Sequence, residues 1–184
     1  GWVNLAMAKV LFLTLGLLWG AGILFLFHTA QLTPAGFRFA LIATIWGELA
    51  VVALVGINTA ATAISKERED GTLDLLLTTP ITASAYLKGK LRGLVTYLIP
   101  LLTVPLGTLA LACLYVLIGG FGNAGVTETL PATPNRPAMN WPLVLPEAAL
   151  LAPVVVLPFM AFCVMVGLQW SLKSKGTLSS VVAT

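Results

Sequence analysis

The side chains that could do chemistry are concentrated in one hydrophilic stretch, residues 65–92. This stretch holds nine of the seventeen Asp, Glu, Lys and Arg residues in the chain. Its acids Glu67 and Glu69 are spaced closely enough to suggest a carboxylate pair for general acid–base catalysis. Because Lys66 and Arg68 are adjacent to them, we expect ion pairing and solvation instead, and we predict no catalytic residue.

Motifs for metal, nucleotide and nucleophile sites are missing from the rest of the sequence. The chain has one histidine, His28, and two cysteines, Cys113 and Cys163, without metal-ligand spacing. It has no Gly-x-x-x-x-Gly-Lys-Ser/Thr sequence for phosphate binding and no Gly-x-Ser-x-Gly nucleophile elbow. We therefore predict that the chain is not an enzyme and holds no metal or cofactor of its own.

The composition predicts an integral membrane protein. Hydrophobic residues make up 58% of the chain, charged residues only 9%, and the mean hydropathy is +0.97, whereas a soluble domain has about 25% charged residues. Uncharged runs long enough to cross a bilayer recur along the chain. The fold class that we predict is an all-α integral membrane protein, a polytopic transmembrane helix bundle with one short cytoplasmic helix.

We interpret residues 1–184 as a single transmembrane domain and as a fragment of a longer protein. Membrane spans are expected at about 10–27, 39–64, 93–118 and 146–171, with the start of another at 177–184. Between spans lie the hydrophilic loop 65–92 and a loop rich in Gly, Pro, Thr and Asn, 119–145. We expect the second loop to be exposed and mostly irregular, with room for a short surface helix.

A helix of about two turns is predicted within the loop 65–92, at residues 72–79. Gly71 breaks the preceding pattern, Thr72 is a suitable N-cap, and Pro80 ends the helix. The apolar residues at the i, i+3, i+4 spacing are Leu73, Leu76 and Leu77. Because a helix this short is not stable alone in water, we expect its apolar face to lie on a partner or on the membrane interface.

One stretch resembles a known family. Residues 67–81 read Glu-Arg-Glu-Asp-Gly-Thr-Leu-Asp-Leu-Leu-Leu-Thr-Thr-Pro-Ile and are followed by Gly89-Lys90, which resembles the signature loop of the ATP-binding-cassette (ABC) type-2 transporter permeases. The resemblance implies a coupling helix that docks on a separate ABC ATPase subunit, with ATP and Mg²⁺ bound by that partner. It also implies a second permease subunit, in a homo- or heterodimer, and an exporter. The ATPase-coupling residues implied are Glu67, Glu69, Asp70, Gly71, Thr72, Leu73, Leu76, Leu77 and Pro80.

Two other functions stay open on the sequence alone. The chain could be a membrane scaffold that recruits a partner other than an ATPase, or a secondary transporter that is not coupled to ATP. A secondary transporter typically shows inverted repeats and ionisable groups near the middle of the membrane. The sequence has no evident internal repeat, and only Glu48 approaches that depth. No residue identifies the substrate.

Two polar residues of the second predicted span, Glu48 and Asn58, are candidates for a transport path. If the helix begins near Ala40, Glu48 lies about 12 Å from its start, where an acid is costly and is a functional candidate. The structural alternative is that Glu48 is protonated or bonds to a neighbouring helix. In the first span, the spacing of Gly16 and Gly20 is compatible with a close helix contact, but glycine is common in membrane helices, so the spacing does not decide the matter.

The basic residues predict the orientation in the membrane. Eight of the ten share one side, at Lys9, in 65–92, and at Lys173 and Lys175, whereas Arg38 and Arg136 lie on the other. The positive-inside rule then places the loop 65–92 and both chain ends in the cytoplasm and the loop 119–145 outside. We predict a multi-pass protein of the plasma or inner membrane, in contact with lipid. The net charge of +3 is small and gives no reason to expect nucleic acid.

Overall fold

The computed structural model describes residues 2–69, 83–122 and 126–173, and the side chains within 6–63, 84–122 and 126–173. The elements in chain order are α1 (Trp2–His28), α2 (Pro34–Glu69), α3 (Ala83–Leu117), a 3-10 turn (Gly119–Gly122), β1 (Thr127–Leu130), β2 (Met139–Pro142) and α4 (Ala148–Lys173). Helices dominate the described residues, so the predicted all-α fold class is confirmed.

Each of the four helices is long and apolar enough to cross a membrane. The candidate spans are Ala6–His28, Pro34–Ala63, Ser84–Leu117 and Ala148–Lys173. The sequence predicts the same four complete spans, but it starts the first three of them four to nine residues too late, because hydropathy marks the apolar part of a helix and not the residue where its hydrogen bonding begins. The start of a further span predicted at 177–184 lies outside the described residues.

Helical structure extends into both ends of the predicted hydrophilic loop 65–92. Residues 65–69 continue α2, and residues 83–92 form the first turns of α3. Lys, Arg and Glu are good helix formers, so a helix can continue through charged sequence beyond the apolar span. Residues 70–82, between these two helices, lie outside the described residues.

The described residues fall into two compact units, which we treat separately. The first unit comprises residues 1–49 and 103–154, and its apolar core joins α1, the start of α2, the end of α3 and the chain after it. The buried members of this core are Ile23, Phe27, Phe37, Leu41, Ala112, Tyr115, Val116, Val126 and Leu143. The rings of Phe27 and Phe37 lie 4.6 Å apart between centroids, so aromatic packing closes the turn between α1 and α2.

The segment 119–145, predicted as an exposed and mostly irregular loop, contains an antiparallel hairpin that the sequence does not indicate. β1 pairs with β2 from Thr127–Pro142 to Leu130–Met139, and the Leu143 amide extends the pairing by donating to the Val126 carbonyl at 2.8 Å. Most side chains of both strands are exposed. No buried face therefore imposes the alternating pattern by which a strand is read from sequence.

A tight turn connects α3 to this hairpin. Gly120 has φ of 57° and Phe121 has φ of 55°, both in the left-handed region, which favours glycine. A side chain on Gly120 would also overlap the Val126 side chain. Glycine is therefore required at position 120 for its conformation and for the close approach of the hairpin.

The second unit comprises residues 50–102 and 155–184, of which 50–69, 83–102 and 155–173 are described. Here α4 lies against α2 with almost no side chain between them. A Cβ atom on Gly167 would lie 2.7 Å from the Ala60 Cβ atom and 2.8 Å from the Ile57 carbonyl oxygen. Ala60 and Ala61 are fully buried, so small residues allow the two backbones to come close together.

Candidate functional site

Glu48 lies in the middle of a membrane span. The sequence places it about 12 Å from the start of the helix, and this is wrong because α2 begins at Pro34, about 21 Å before Glu48. Thr33 caps the helix: its hydroxyl accepts the Gly36 amide at 3.1 Å. Proline follows at the first helical position, where its missing N–H costs nothing. These two residues start α2 early and centre Glu48 within the span Pro34–Ala63.

One oxygen of the Glu48 carboxyl group has a partner and the other does not. The Thr108 hydroxyl on α3 donates to Glu48 Oε2 at 3.3 Å. Glu48 Oε1 is buried and has no hydrogen-bond partner among the described residues. Only 9% of Glu48 and 1% of Thr108 are exposed. A buried acceptor in an apolar environment is costly to leave unpaired, so Oε1 is a place where a hydrogen-bond donor would be stabilised.

Helix α1 covers this carboxyl group with two glycines. A Cβ atom on Gly16 would overlap the Val104 side chain and lie 3.4 Å from Glu48 Oε1. A Cβ atom on Gly20 would lie 2.8 Å from Thr108 Cγ2. The spacing of Gly16 and Gly20, which the sequence leaves open, therefore belongs to a close helix contact, and its partner is α3. The contact encloses Glu48 and Thr108 within the first unit.

Asn58, the other residue predicted on a transport path, belongs to the second unit, where it is exposed. Its backbone carbonyl accepts the Thr62 hydroxyl at 3.0 Å, one turn along α2. Thr62 thus bonds within its own helix. The roles of Glu48 and Asn58 in a transport path stay predictions.

The predicted ATPase-coupling residues are only partly described. Glu67 and Glu69 lie in the last turns of α2. The residues that lie outside the described part of the chain are Asp70, Gly71, Thr72, Leu73, Leu76, Leu77 and Pro80. The predicted short helix at 72–79 therefore stays a prediction, whereas the two helices that lead into it and out of it are described.

The start of α3 is joined to the end of the α2 span within the second unit. Lys90 donates from its ammonium group to the Ala63 carbonyl oxygen at 3.0 Å. Ala63 is the last residue of the candidate span Pro34–Ala63. This contact places a basic residue at the depth where a membrane helix meets the polar region.

An ion pair in the first unit was missed by sequence reasoning. Arg38 Nη1 donates to Glu128 Oε2 at 2.7 Å, and Arg38 Nε donates to the Leu143 carbonyl at 3.0 Å. Arg38 stands near the start of α2, and Glu128 belongs to β1. The sequence does contain one signal for this ion pair, because an arginine at the end of a span is stabilised by an anionic partner. By sequence, however, Glu128 and Glu147 are equal candidates for that partner. The register of the hairpin is what places Glu128 beside Arg38.

The fold and these sites define a polytopic all-α membrane protein with a polar region between its second and third spans. A family model described as ABC-2 family transporter protein matches residues 47–172, more than half of the chain. The chain belongs to the ABC-2 transporter family, and it is a multi-pass transport component of an ABC transporter. No curated protein matches the chain, and no solved structure matches it.

Proposed function

We propose that this chain is the permease subunit of an exporter and that a separate ATPase subunit drives it through residues 65–92. ATP and Mg²⁺ would be bound by that partner, because this sequence has no phosphate-binding loop. The observation that carries the proposal is the family match, which runs from residue 47 to residue 172 and so includes the whole polar region. The substrate is left open.

The continuous helices on either side of that region support a mechanical role for it. α2 has 36 residues and α3 has 35, so each is more than about 50 Å long, well beyond the hydrocarbon thickness of a bilayer. A displacement of residues 70–82 would be carried directly into both spans. Within the second unit the Lys90–Ala63 contact ties the two helices, and within the first unit the Thr108–Glu48 contact does so.

The apolar residues of the predicted short helix would be the anchors on the ATPase. Leu73, Leu76 and Leu77 share one face at helical spacing. Each leucine that becomes fully buried contributes roughly 1.5–3 kcal/mol before the cost of ordering. Glu67, Glu69 and Asp70 would meet basic groups of the partner or stabilise the start of the helix.

The assembly and its orientation are part of the proposal. We infer that two permease subunits pair and that the substrate moves outward between them. The basic residues favour a cytoplasmic position for residues 65–92, since five of the ten Lys and Arg residues lie there. An ATPase that uses cytoplasmic ATP requires that same orientation.

The test is to co-express the full-length protein with its ATPase and to compare two leucine substitutions. Leu76→Asp places a charge on the apolar face, so we expect membrane insertion at the normal level but a loss of more than about 90% of co-purified ATPase, from roughly 1.5 kcal/mol or more of lost binding. Leu75→Asp is the matched control, because residue 75 is on the other face of the predicted helix. Wild-type recovery of the ATPase with Leu76→Asp would contradict the proposal.

A further inference from the structure

The ion pair in the first unit borders a cavity. The cavity has a volume of about 440 Å³ and lies between the start of α2 and the hairpin, a size typical of small-molecule sites. Two of its lining residues are charged, Arg38 and Glu128, and the others are apolar. The apolar members used in the argument below are Leu130, Trp141 and Leu145.

Arg38 is held in place and still has donors to offer. Its Nε donates to the Leu143 carbonyl and its Nη1 to Glu128 Oε2. A guanidinium group has five N–H donors in a planar fork, and among the described residues no contact uses Nη2. Two attachment points fix the plane of the fork, and 38% of the side chain is exposed. Such a fork suits the oxygens of a phosphate group.

Glu128 changes the kind of ligand that this site can take. Its carboxylate lies 2.7 Å from the guanidinium group and is 45% exposed, so the site as a whole is nearly neutral. A purely anionic ligand would be repelled by Glu128, and a purely cationic ligand would be repelled by Arg38. The pair is complementary to a ligand that carries both charges next to each other, a phosphate for Arg38 and an ammonium group for Glu128.

The position of the site and its walls indicate a membrane lipid. Arg38 is four residues after the start of the candidate span at Pro34, about 6 Å along the helix, which is the depth of a bilayer interface. Arginine and tryptophan are both residues of that interface. Leu130, Trp141 and Leu145 are large apolar side chains that are 40–50% exposed around the charged pair, where the glycerol and the first acyl carbons of a lipid would lie.

We propose that this cavity binds the headgroup of a zwitterionic phospholipid that carries a primary ammonium group, with the phosphate on Arg38 and the ammonium on Glu128. Phosphatidylethanolamine has this chemistry. The quaternary ammonium of phosphatidylcholine cannot donate a hydrogen bond to Glu128, and phosphatidylglycerol has no cation. The site does not depend on which face of the membrane is cytoplasmic, because both ends of a span lie at a lipid interface.

The experiment is native mass spectrometry of the full-length protein in detergent, titrated separately with phosphatidylethanolamine, phosphatidylcholine and phosphatidylglycerol. We expect wild-type protein to bind phosphatidylethanolamine about tenfold more tightly than either other lipid, as one additional charge-assisted hydrogen bond predicts. Equal binding of phosphatidylethanolamine and phosphatidylglycerol by the wild-type protein would overturn the proposal.

Glu128→Gln is the decisive variant, because glutamine keeps the shape and the acceptor oxygen for Arg38 but removes the charge. We expect its preference to reverse towards phosphatidylglycerol, since Arg38 then has no neutralising partner. Arg136→Gln is the matched control, because Arg136 is an exposed arginine of the same hairpin turn that does not line the cavity. The lipid preference of this variant should equal that of the wild type. A retained preference in Glu128→Gln, or a reversal in Arg136→Gln, would overturn the proposal.

Arg38→Lys provides a second variant in case Glu128→Gln does not fold. Lysine keeps the charge for the ion pair but loses the planar fork and the Nε donor to the Leu143 carbonyl, so we expect phosphatidylethanolamine binding to weaken about tenfold. Unchanged lipid binding in this variant would also contradict the proposal. Soluble phosphoethanolamine should compete poorly, because it cannot use the apolar walls; full competition would assign the site to a soluble zwitterion and overturn the lipid assignment.

Discussion

Two glycine contacts, one in each unit, use the same residue type for different purposes. In the first unit, Gly16 and Gly20 lie against side chains of α3 and enclose a polar pair. In the second unit, Gly167 lies against the Ala60 side chain and the backbone of α2 at Ile57, and the buried Ser171 is one turn further along α4. A substitution can shorten a side chain but cannot remove a backbone carbonyl. The comparison therefore predicts that stability lost through a larger residue at the first contact can be restored by a substitution on the partner helix, and that stability lost at the second contact cannot.

The largest effect is expected at Gly167. In Gly167→Leu the new Cβ atom would lie 2.8 Å from the Ile57 carbonyl oxygen, so α2 and α4 must move apart, at a cost of more than about 3 kcal/mol. We expect little folded protein by size-exclusion chromatography and thermal unfolding in detergent. Gly93→Leu is the matched control in the same unit, since nothing lies within 4 Å of a Cβ atom at Gly93, and it should unfold like the wild type.

A second variant changes the partner residue of Gly167, Ala60, as well. Gly167→Ala combined with Ala60→Gly removes the clash with the Ala60 side chain but not the clash with the Ile57 carbonyl. We expect this double variant to stay less stable than the wild type. Recovery of wild-type stability would show that the contact is made by side chains after all, and the contrast between the two units would disappear.

At Gly16 we expect a smaller loss of stability, which a second substitution can restore. The new methyl group in Gly16→Ala would overlap the buried Val104 side chain, and overpacking of this kind costs about 1–3 kcal/mol. Val104→Ala in the same protein makes room for it and should restore most of the thermal stability. Gly22→Ala is the control on the same helix, because a Cβ atom there meets nothing within 4 Å. A loss of stability in Gly16→Ala that Val104→Ala does not reduce would contradict the assignment.

Sequence reasoning predicts the features that depend on local pattern. The four spans follow from hydropathy, and the spacing of Gly16 and Gly20 is compatible with a close helix contact. The partner of that contact, at Val104 and Thr108, depends on how the helices pack, which no local pattern records. Gly167 and Ser171 have a similar small-residue spacing, but that spacing does not record that the partner of Gly167 is the backbone of α2.

Other features of the structure are not predicted from the sequence, for physical reasons. The helices run past the predicted span ends because charged helix formers continue them. The hairpin strands carry no alternation because most of their side chains are exposed. Thr33 and Pro34 together are a helix-start signal, and they start α2 earlier than the position near Ala40 that hydropathy indicates. Because hydropathy starts the helix too late, it places Glu48 too near the end of the span.

The smallest effect is expected from the polar pair that the glycines enclose. Thr108→Val removes the donor to Glu48 Oε2 and leaves both carboxyl oxygens without a partner among the described residues. A double-mutant cycle of Thr108→Val with Glu48→Met should give a coupling of about 0.6 kcal/mol, the typical value for hydrogen bonds between membrane helices. The measurement is reversible unfolding in mixed micelles. Because apolar residues replace both partners, the double variant should be at least as stable as Thr108→Val alone. A coupling near zero would mean that the Glu48 carboxyl group bonds elsewhere and that the contact of α1 with α3 is one of shape only.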